Sequence, residues 1–184
     1  MNTKIRKISY SGIFIALIMA IGYSLAYIPN LELVTLLIFL AGYFMGMKYG
    51  LLIGVVGEFL FSVLNPMGSG LLFPPMLIAQ IIAMGLTATI GGLLGNIIGQ
   101  HPLKKYTVLI FAFTGLVVTF FYDVFVSLAY PIASGFDVKQ TFGIVLSGIL
   151  FSIIHIVMNT LIFATLLPVI VIRINKSGIF RGIK

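Results

Sequence analysis

The sequence contains no cysteine, no tryptophan and only four acidic residues in 184. Without cysteine the chain has no disulfide, no thiolate metal site and no cysteine nucleophile. Charged residues make up only 8% of the chain, whereas 60% of its residues are apolar. Because water cannot solvate such a composition, the sequence predicts an integral membrane protein.

Six apolar stretches divide the chain, and we expect each to form one transmembrane helix of a single all-α bundle that spans residues 1–184. At about 1.5 Å per residue, the first, fourth, fifth and sixth stretches are long enough to cross a hydrocarbon core of about 30 Å. The second and third are short, and we expect them to tilt or to end inside the bundle. The stretches cover residues 8–27, 33–45, 49–64, 73–98, 106–130 and 141–172.

In this six-helix topology, ten of the eleven Lys and Arg residues lie on one side of the membrane, and only Lys139 lies in a loop on the other side. Because basic residues are retained in cytoplasmic segments, we expect both termini to be cytoplasmic and the loops around Asn30, Asn65 and Asp137 to lie outside. The basic excess is therefore attributed to topology, and no nucleic-acid partner is expected. The ten residues are Lys4, Arg6, Lys7, Lys48, Lys104, Lys105, Arg173, Lys176, Arg181 and Lys184.

Small residues that recur at every fourth position predict that two helices approach each other closely. One glycine series surrounds the second turn and another lies on the fourth helix. A third small patch, formed by Gly12, Ala16 and Ala20, lies on the otherwise bulky first helix and would let another helix dock there. The two glycine series are Gly42, Gly46, Gly50 and Gly54, and Gly91, Gly95 and Gly99.

The chain resembles the substrate-binding S components of energy-coupling factor (ECF) transporters, a family of small six-helix bacterial membrane proteins. The resemblance covers the whole chain and rests on its length, its basic N-terminus running into Ile8-Ser9-Tyr10, its short second and third helices, and one motif. Ala16-Leu17-Ile18-Met19-Ala20 matches the AxxxA motif of the family. The resemblance implies that Ala16 and Ala20, with Gly12 one turn earlier, dock on a transmembrane coupling protein in a module that also holds two ATPases. The sequence itself has no Walker A motif, so ATP hydrolysis belongs to other subunits.

Glu58 and Asp123 are the main candidates for ligand binding, because an ionisable group in hydrocarbon is costly and usually marks a ligand site or a pathway. Counted from the outer helix ends, both lie about 9–10 Å deep, and Gln80 lies at a comparable depth. We expect them to converge on one outward-facing cavity. Further candidates are Ser152, His155 and Asn159 on the last helix, Asn65 in an outer loop, and Phe73 and Tyr130, whose rings would stack on a planar ligand.

A structural interpretation of the same polar residues stays open. Glu58, Asp123 and His155 would then satisfy one another as contacts between helices, and Asn159, one turn deeper than His155, would bond a neighbouring helix.

The charge distribution restricts the ligand. A dedicated anion site would need Arg or Lys, and the outer half contains only Lys139. A neutral or cationic molecule is favoured, of the kind of a corrinoid or its precursor, riboflavin, a thiamin precursor or pyridoxamine. The outer loops 28–32 and 65–72 are candidate lids, and no metal site and no resident cofactor are predicted.

The expected function is capture of a vitamin or related micronutrient outside a bacterial cell and its delivery through an ATP-driven module in the cell membrane. Two alternatives stay open. A stand-alone secondary transporter would use Glu58, Asp123 and His155 to relay protons. An intramembrane protease is suggested by His155-Ile-Val-Met-Asn159, which is similar to an element of CAAX-type proteases, but the paired glutamates of that family are missing.

Overall fold

The computed structural model describes residues 3–99 and 105–183, and within these ranges every regular element is a helix. A short 3-10 helix, Gly70–Leu72, interrupts the loop between the third and fourth α-helices. The all-α prediction is confirmed. The α-helices are α1 Thr3–Leu25, α2 Val34–Met45, α3 Met47–Val63, α4 Pro74–Ile97, α5 Lys105–Ala133, α6 Val138–Ser147 and α7 Ile149–Ser177.

Four of the described helices, α1, α4, α5 and α7, are long and apolar enough to cross a membrane. Large apolar side chains on their outer faces are exposed, among them Leu109, Phe113 and Leu150, each with about 70% of its surface accessible. Such a continuous apolar surface would drive aggregation in water, whereas lipid tails cover it at no cost.

Helix α2 forms the centre of the bundle. All twelve of its residues are buried, and it packs against α1, α3, α4 and α7. A helix that is apolar all round is expected to be buried on every side. The prediction that the second helix is short is confirmed, since α2 has only 12 residues.

The glycine series bring the backbones of α2, α3 and α4 together, as predicted. A methyl group added at Gly42 would overlap the backbone of Ala88, and one at Gly91 would overlap that of Phe39. Gly46 has a different role. It reverses the chain between α2 and α3 at a φ of 80°, which L side chains rarely adopt.

The prediction of one continuous helix over 141–172 is wrong, because the segment contains two helices. Asp137 caps α6 through a reciprocal hydrogen-bond pair with Gln140, and the helix stops at Gly148, whose φ of −91° and ψ of −4° lie outside the helical minimum. Ser147 and Gly148 form the kind of small pair at which helices break. The described chain therefore has seven α-helices rather than six, and none of α6 is buried.

The helices α1 to α5 and α7 alternate in direction, so the connections between them gather at two ends. At one end, called the loop end, the segments 26–33, 64–73 and 134–137 meet, and the rings of Phe73 and Tyr130 lie 5.7 Å apart. At the other, called the terminal end, the Arg6 side chain donates a 2.8 Å hydrogen bond to the carbonyl of Ile179. Lys104 and Lys184, which the sequence places with the inner charges, lie outside the described residues.

Candidate functional site

A cavity of about 490 Å³ lies at the loop end of the bundle. Its volume falls within the range of small-molecule sites, about 300–1,000 Å³. The end of α1, the following loop and the first turn of α2 form one wall, and side chains from α3, α4, α5 and α7 form the rest. The ionisable residues of the lining are Glu32, Glu58, Tyr122, Asp123 and His155.

Three of the four acidic residues of the chain line this cavity. Glu58 is only 1% exposed and Asp123 only 8%. None of the lining residues is Lys or Arg. The cavity is therefore a concentrated acidic site inside a chain that is strongly basic as a whole.

Asp123 and Glu32 belong to one hydrogen-bonded network, which passes through α7. His155 Nδ1 lies 2.8 Å from Asp123 Oδ1. The Asn159 amide nitrogen lies 3.1 Å from His155 Nε2 and donates to Glu32 Oε1 at 2.8 Å. This network ties α5 and α7 to the loop before α2.

His155 lies between two of the cavity carboxylates. Its Nδ1 is 2.8 Å from Asp123 Oδ1 and its Nε2 is 3.7 Å from Glu32 Oε1, so a protonated ring forms an ion pair with both. One imidazole carries at most one positive charge, so it cannot balance all three carboxylates of the lining.

Glu32 is held at the N-terminus of α2, where backbone amide donors have no partner within the helix. Its Oε2 accepts a 2.9 Å hydrogen bond from the Thr35 amide, and the helix dipole favours a negative charge at this position. Burial by itself raises the pKa of the Glu32 carboxyl, but the interactions with His155 and Thr35 outweigh it, so the pKa lies below its ordinary value.

Glu58 belongs to a second network, which joins α3, α4 and α5. Its Oε1 accepts a 2.7 Å hydrogen bond from the Ser62 hydroxyl, which also lies 3.3 Å from Gln80 Oε1. Gln80 Nε2 in turn donates to the Tyr122 hydroxyl at 3.3 Å. Gln80 thus supports the cavity from behind and positions a ring that lines it.

Two cavity carboxylates use only one of their oxygens inside the protein. Glu58 Oε2 and Asp123 Oδ2 are buried and have no hydrogen-bond partner among the described residues, and the same holds for the side-chain oxygen of Asn30. Buried acceptors without a partner are rare, and each calls for an explanation. All three residues line the cavity.

The cavity also has an aromatic and hydroxyl lining. Phe61, Tyr122 and Phe151 contribute rings, and Ser152 lies beside Phe151 at the start of α7. The Tyr122 ring is held edge-on to His155 at a centroid distance of 5.9 Å.

The structure thus brings Glu58, Asp123, Ser152 and His155 of the predicted set together around one cavity. Gln80 and Asn159 lie behind the lining in the two networks. That His155 contacts both Asp123 and Asn159 also agrees with the structural interpretation. Their contact with a ligand stays a prediction.

Three predicted residues lie at the loop end but outside the cavity lining. Phe73 and Tyr130 pack on each other, and Tyr130 also contacts Phe136 at 5.5 Å. The Asn65 side chain accepts a hydrogen bond from the Met67 amide and so stabilises its own turn. Of the two candidate lids, loop 28–32 lines the cavity and loop 65–72 does not.

Glu32, Phe61 and Phe151 line the cavity but are not among the site residues predicted from the sequence. The sequence prediction places Glu32 in a candidate lid loop, because hydropathy ends the first apolar stretch before it. The available signal was its chemistry, since it is one of only four acidic residues and directly precedes an apolar helix.

The predicted docking patch lies on the outer face of α1. Gly12, Ala16 and Ala20 are all exposed, and an atom added at Gly12 would meet nothing within 4 Å. They are flanked by exposed apolar side chains such as Ile13 and Leu17. Their exposure makes the patch accessible from the lipid side.

A family model described as "ECF-type riboflavin transporter, S component" matches residues 2–172 of the chain. The matched range includes every residue of the cavity lining and the small patch on α1. No curated protein and no solved structure matches the chain.

Proposed function

The chain belongs to the ECF-type riboflavin transporter S component family, and from this premise we propose that its cavity captures a vitamin-class molecule from outside the cell. Membership makes the chain a multi-pass cell-membrane protein and a substrate-binding transporter subunit, and not an enzyme. The observation that carries the proposal is the cavity at the loop end, where Glu58 and Asp123 each present a buried oxygen without a partner.

The proposed orientation follows from charge. Among the described basic side chains outside the loop end are those of Arg6, Lys48 and Arg173, whereas Lys139 lies at the loop end, on α6. The positive-inside rule supports a cytoplasmic terminal end and an outward-facing cavity. Helices α1 to α5 and α7 would then make six crossings, with the exposed α6 at the outer surface.

Riboflavin is the first ligand to test, because the family description names it. It is uncharged, and its planar ring would stack on aromatic side chains such as Phe61 and Tyr122 while its hydroxyls donate to carboxylates. The cationic candidates, thiamin precursors and pyridoxamine, meet the same acceptors with a positive charge.

Coupling to an ATP-driven module is the second part of the proposal. The partners would be a transmembrane coupling protein and two ATPases, and the exposed patch of Gly12, Ala16 and Ala20 would be the docking surface. Small residues let two helix backbones approach closely in lipid, and a bulky side chain at either alanine would hold them apart.

The docking proposal is tested with Ala16→Leu and Ala20→Leu in cells that contain the complete transporter. Both variants should retain ligand binding, because neither residue lines the cavity, and both should lose uptake and copurification of the coupling protein. Leu17→Ala, on the same exposed face, is the matched control and should keep more uptake than either. Unchanged uptake in both alanine variants would contradict the docking surface.

The capture proposal is tested with the purified chain. High-affinity ligand binding without uptake by proteoliposomes that contain only this chain is the expected result. Uptake by the chain alone, driven by a proton gradient, would instead support a stand-alone secondary transporter.

A further inference from the structure

The charges around the cavity specify the ligand more narrowly than the family does. A buried carboxylate without a counter-charge costs several kcal/mol, so proteins pair such groups or bind a cation with them. Glu58 has no ion-pair partner among the described residues, where the ion pairs of the cavity carboxylates all involve His155.

His155 cannot neutralise the whole site. Its ring lies 2.8 Å from Asp123 and 3.7 Å from Glu32, and it supplies at most one positive charge against three carboxylates. Glu32 is already satisfied, by Thr35 on one oxygen and by Asn159 on the other. Glu58 and Asp123 remain as the carboxylates of the lining that each have an oxygen without a described donor.

The free oxygens belong to deeply buried side chains that line the cavity. Glu58 is 1% exposed and Asp123 8%, and both Glu58 Oε2 and Asp123 Oδ2 are inaccessible to solvent and without partners in the described chain. They come from α3 and α5, and the Tyr122 ring lines the same cavity. This combination of an aromatic face and carboxylate oxygens is suited to a flat organic cation.

We propose that the ligand carries a positive charge, either a protonated amine or a charged ring nitrogen, which the carboxylates of Glu58 and Asp123 in the cavity lining balance. This inference rests on the proposed function, since it concerns the same cavity, and it disfavours uncharged riboflavin as the ligand of this chain. The rings of Phe61, Tyr122 and Phe151 would cover the apolar part of the molecule.

Four probes separate the inference from the function on which it rests. Pyridoxamine and pyridoxine share the same ring, but pyridoxamine carries a protonated amine where pyridoxine carries a hydroxyl. Thiamin is a permanent cation, and riboflavin is neutral. Binding of each to the purified chain is measured by calorimetry at pH 7. Pyridoxamine should bind at least about tenfold more tightly than pyridoxine, or thiamin at least about tenfold more tightly than riboflavin.

Two variants test whether charge or hydrogen bonding is responsible. Glu58→Gln and Asp123→Asn keep the shape of the side chain and supply hydrogen-bond donors, but remove the charge. Each should weaken binding of the cationic probe by roughly tenfold to a hundredfold. Asp137→Asn is the matched control, because asparagine caps a helix as well as aspartate does, and Asp137 caps α6 outside the cavity lining.

The outcomes are distinct. Tightest binding by riboflavin or pyridoxine, or unchanged cation affinity in both variants, would overturn the inference and leave vitamin capture standing. If none of the four probes binds to a chain that melts cooperatively, and no small molecule copurifies with it from native membranes, capture itself fails and the inference fails with it. A copurifying molecule, identified by mass spectrometry, supports the inference if it is cationic at pH 7 and overturns it if it is not.

Discussion

Replacement of Asn159 by leucine tests how the cavity is held together. Asn159 is fully buried, and its amide nitrogen donates to Glu32 Oε1 at 2.8 Å and lies 3.1 Å from His155 Nε2. Leucine has a similar size and no donor, so it removes both contacts. The loop that forms one wall of the cavity then loses its link to α7.

The magnitude follows from the two bonds that are lost. A hydrogen bond to a charged group is worth about 1.5–3 kcal/mol, and a polar side-chain contact between membrane helices averages about 0.6 kcal/mol. Asn159→Leu should therefore cost about 2–3.5 kcal/mol, and the bond to Glu32 accounts for most of it. Part of this cost lowers the stability of the fold and part frees the loop, which weakens ligand binding.

The assay is thermal unfolding of the purified chain in detergent, combined with ligand affinity. Asn159→Leu should lower both, whereas Asn96→Leu, an exposed amide near the terminal end of α4, should change neither appreciably. An unchanged melting temperature and affinity in Asn159→Leu would refute the reasoning, as would an equal loss in the two variants.

Two further predictions concern packing and charge. Gly42→Ala should lower stability by about 1–3 kcal/mol, because the added methyl overlaps the backbone of Ala88. Gly143→Ala is the control and should not lower stability, because a methyl there meets nothing within 4 Å. Similar melting temperatures of the two variants would contradict this prediction. The pKa of Glu32 is lowered from 4.5 in the folded chain, so its contribution to stability is complete above that value and is lost as the pH falls through the folded pKa. Acidification should therefore lower the melting temperature of the wild type more than that of Glu32→Gln, and parallel curves would count against the assignment.

The long helices were predictable because hydropathy and length determine them directly. The break at Gly148 was not, because the apolar run continues across it and hydropathy does not register a single change of backbone direction. Similarly, Asp137 and Gln140 have the spacing of a capping box, but its effect is to start α6 before the apolar segment begins.

The depth of a residue along its helix was also predictable from the sequence, whereas the side of the helix on which its side chain lies was not. Glu58 and Asp123 lie at similar depth and do line one cavity. Phe73 and Tyr130 lie at the same end, yet their rings pack on each other. In lipid both faces of a helix are apolar, so a single sequence carries little information about which face meets the core.

The three cavity carboxylates differ in how many of their oxygens are hydrogen-bonded within the protein. Both oxygens of Glu32 accept hydrogen bonds from protein donors, and these bonds position α2 and the loop before it. Glu58 and Asp123 each use one oxygen in this way, in contacts with Ser62 and His155 that fix the orientation of the carboxylates. The second oxygen of each has no hydrogen-bond partner among the described residues. If the proposed function holds, these two carboxylates contribute a negative charge that the fold does not balance, and a positively charged ligand would stabilise the bundle on binding.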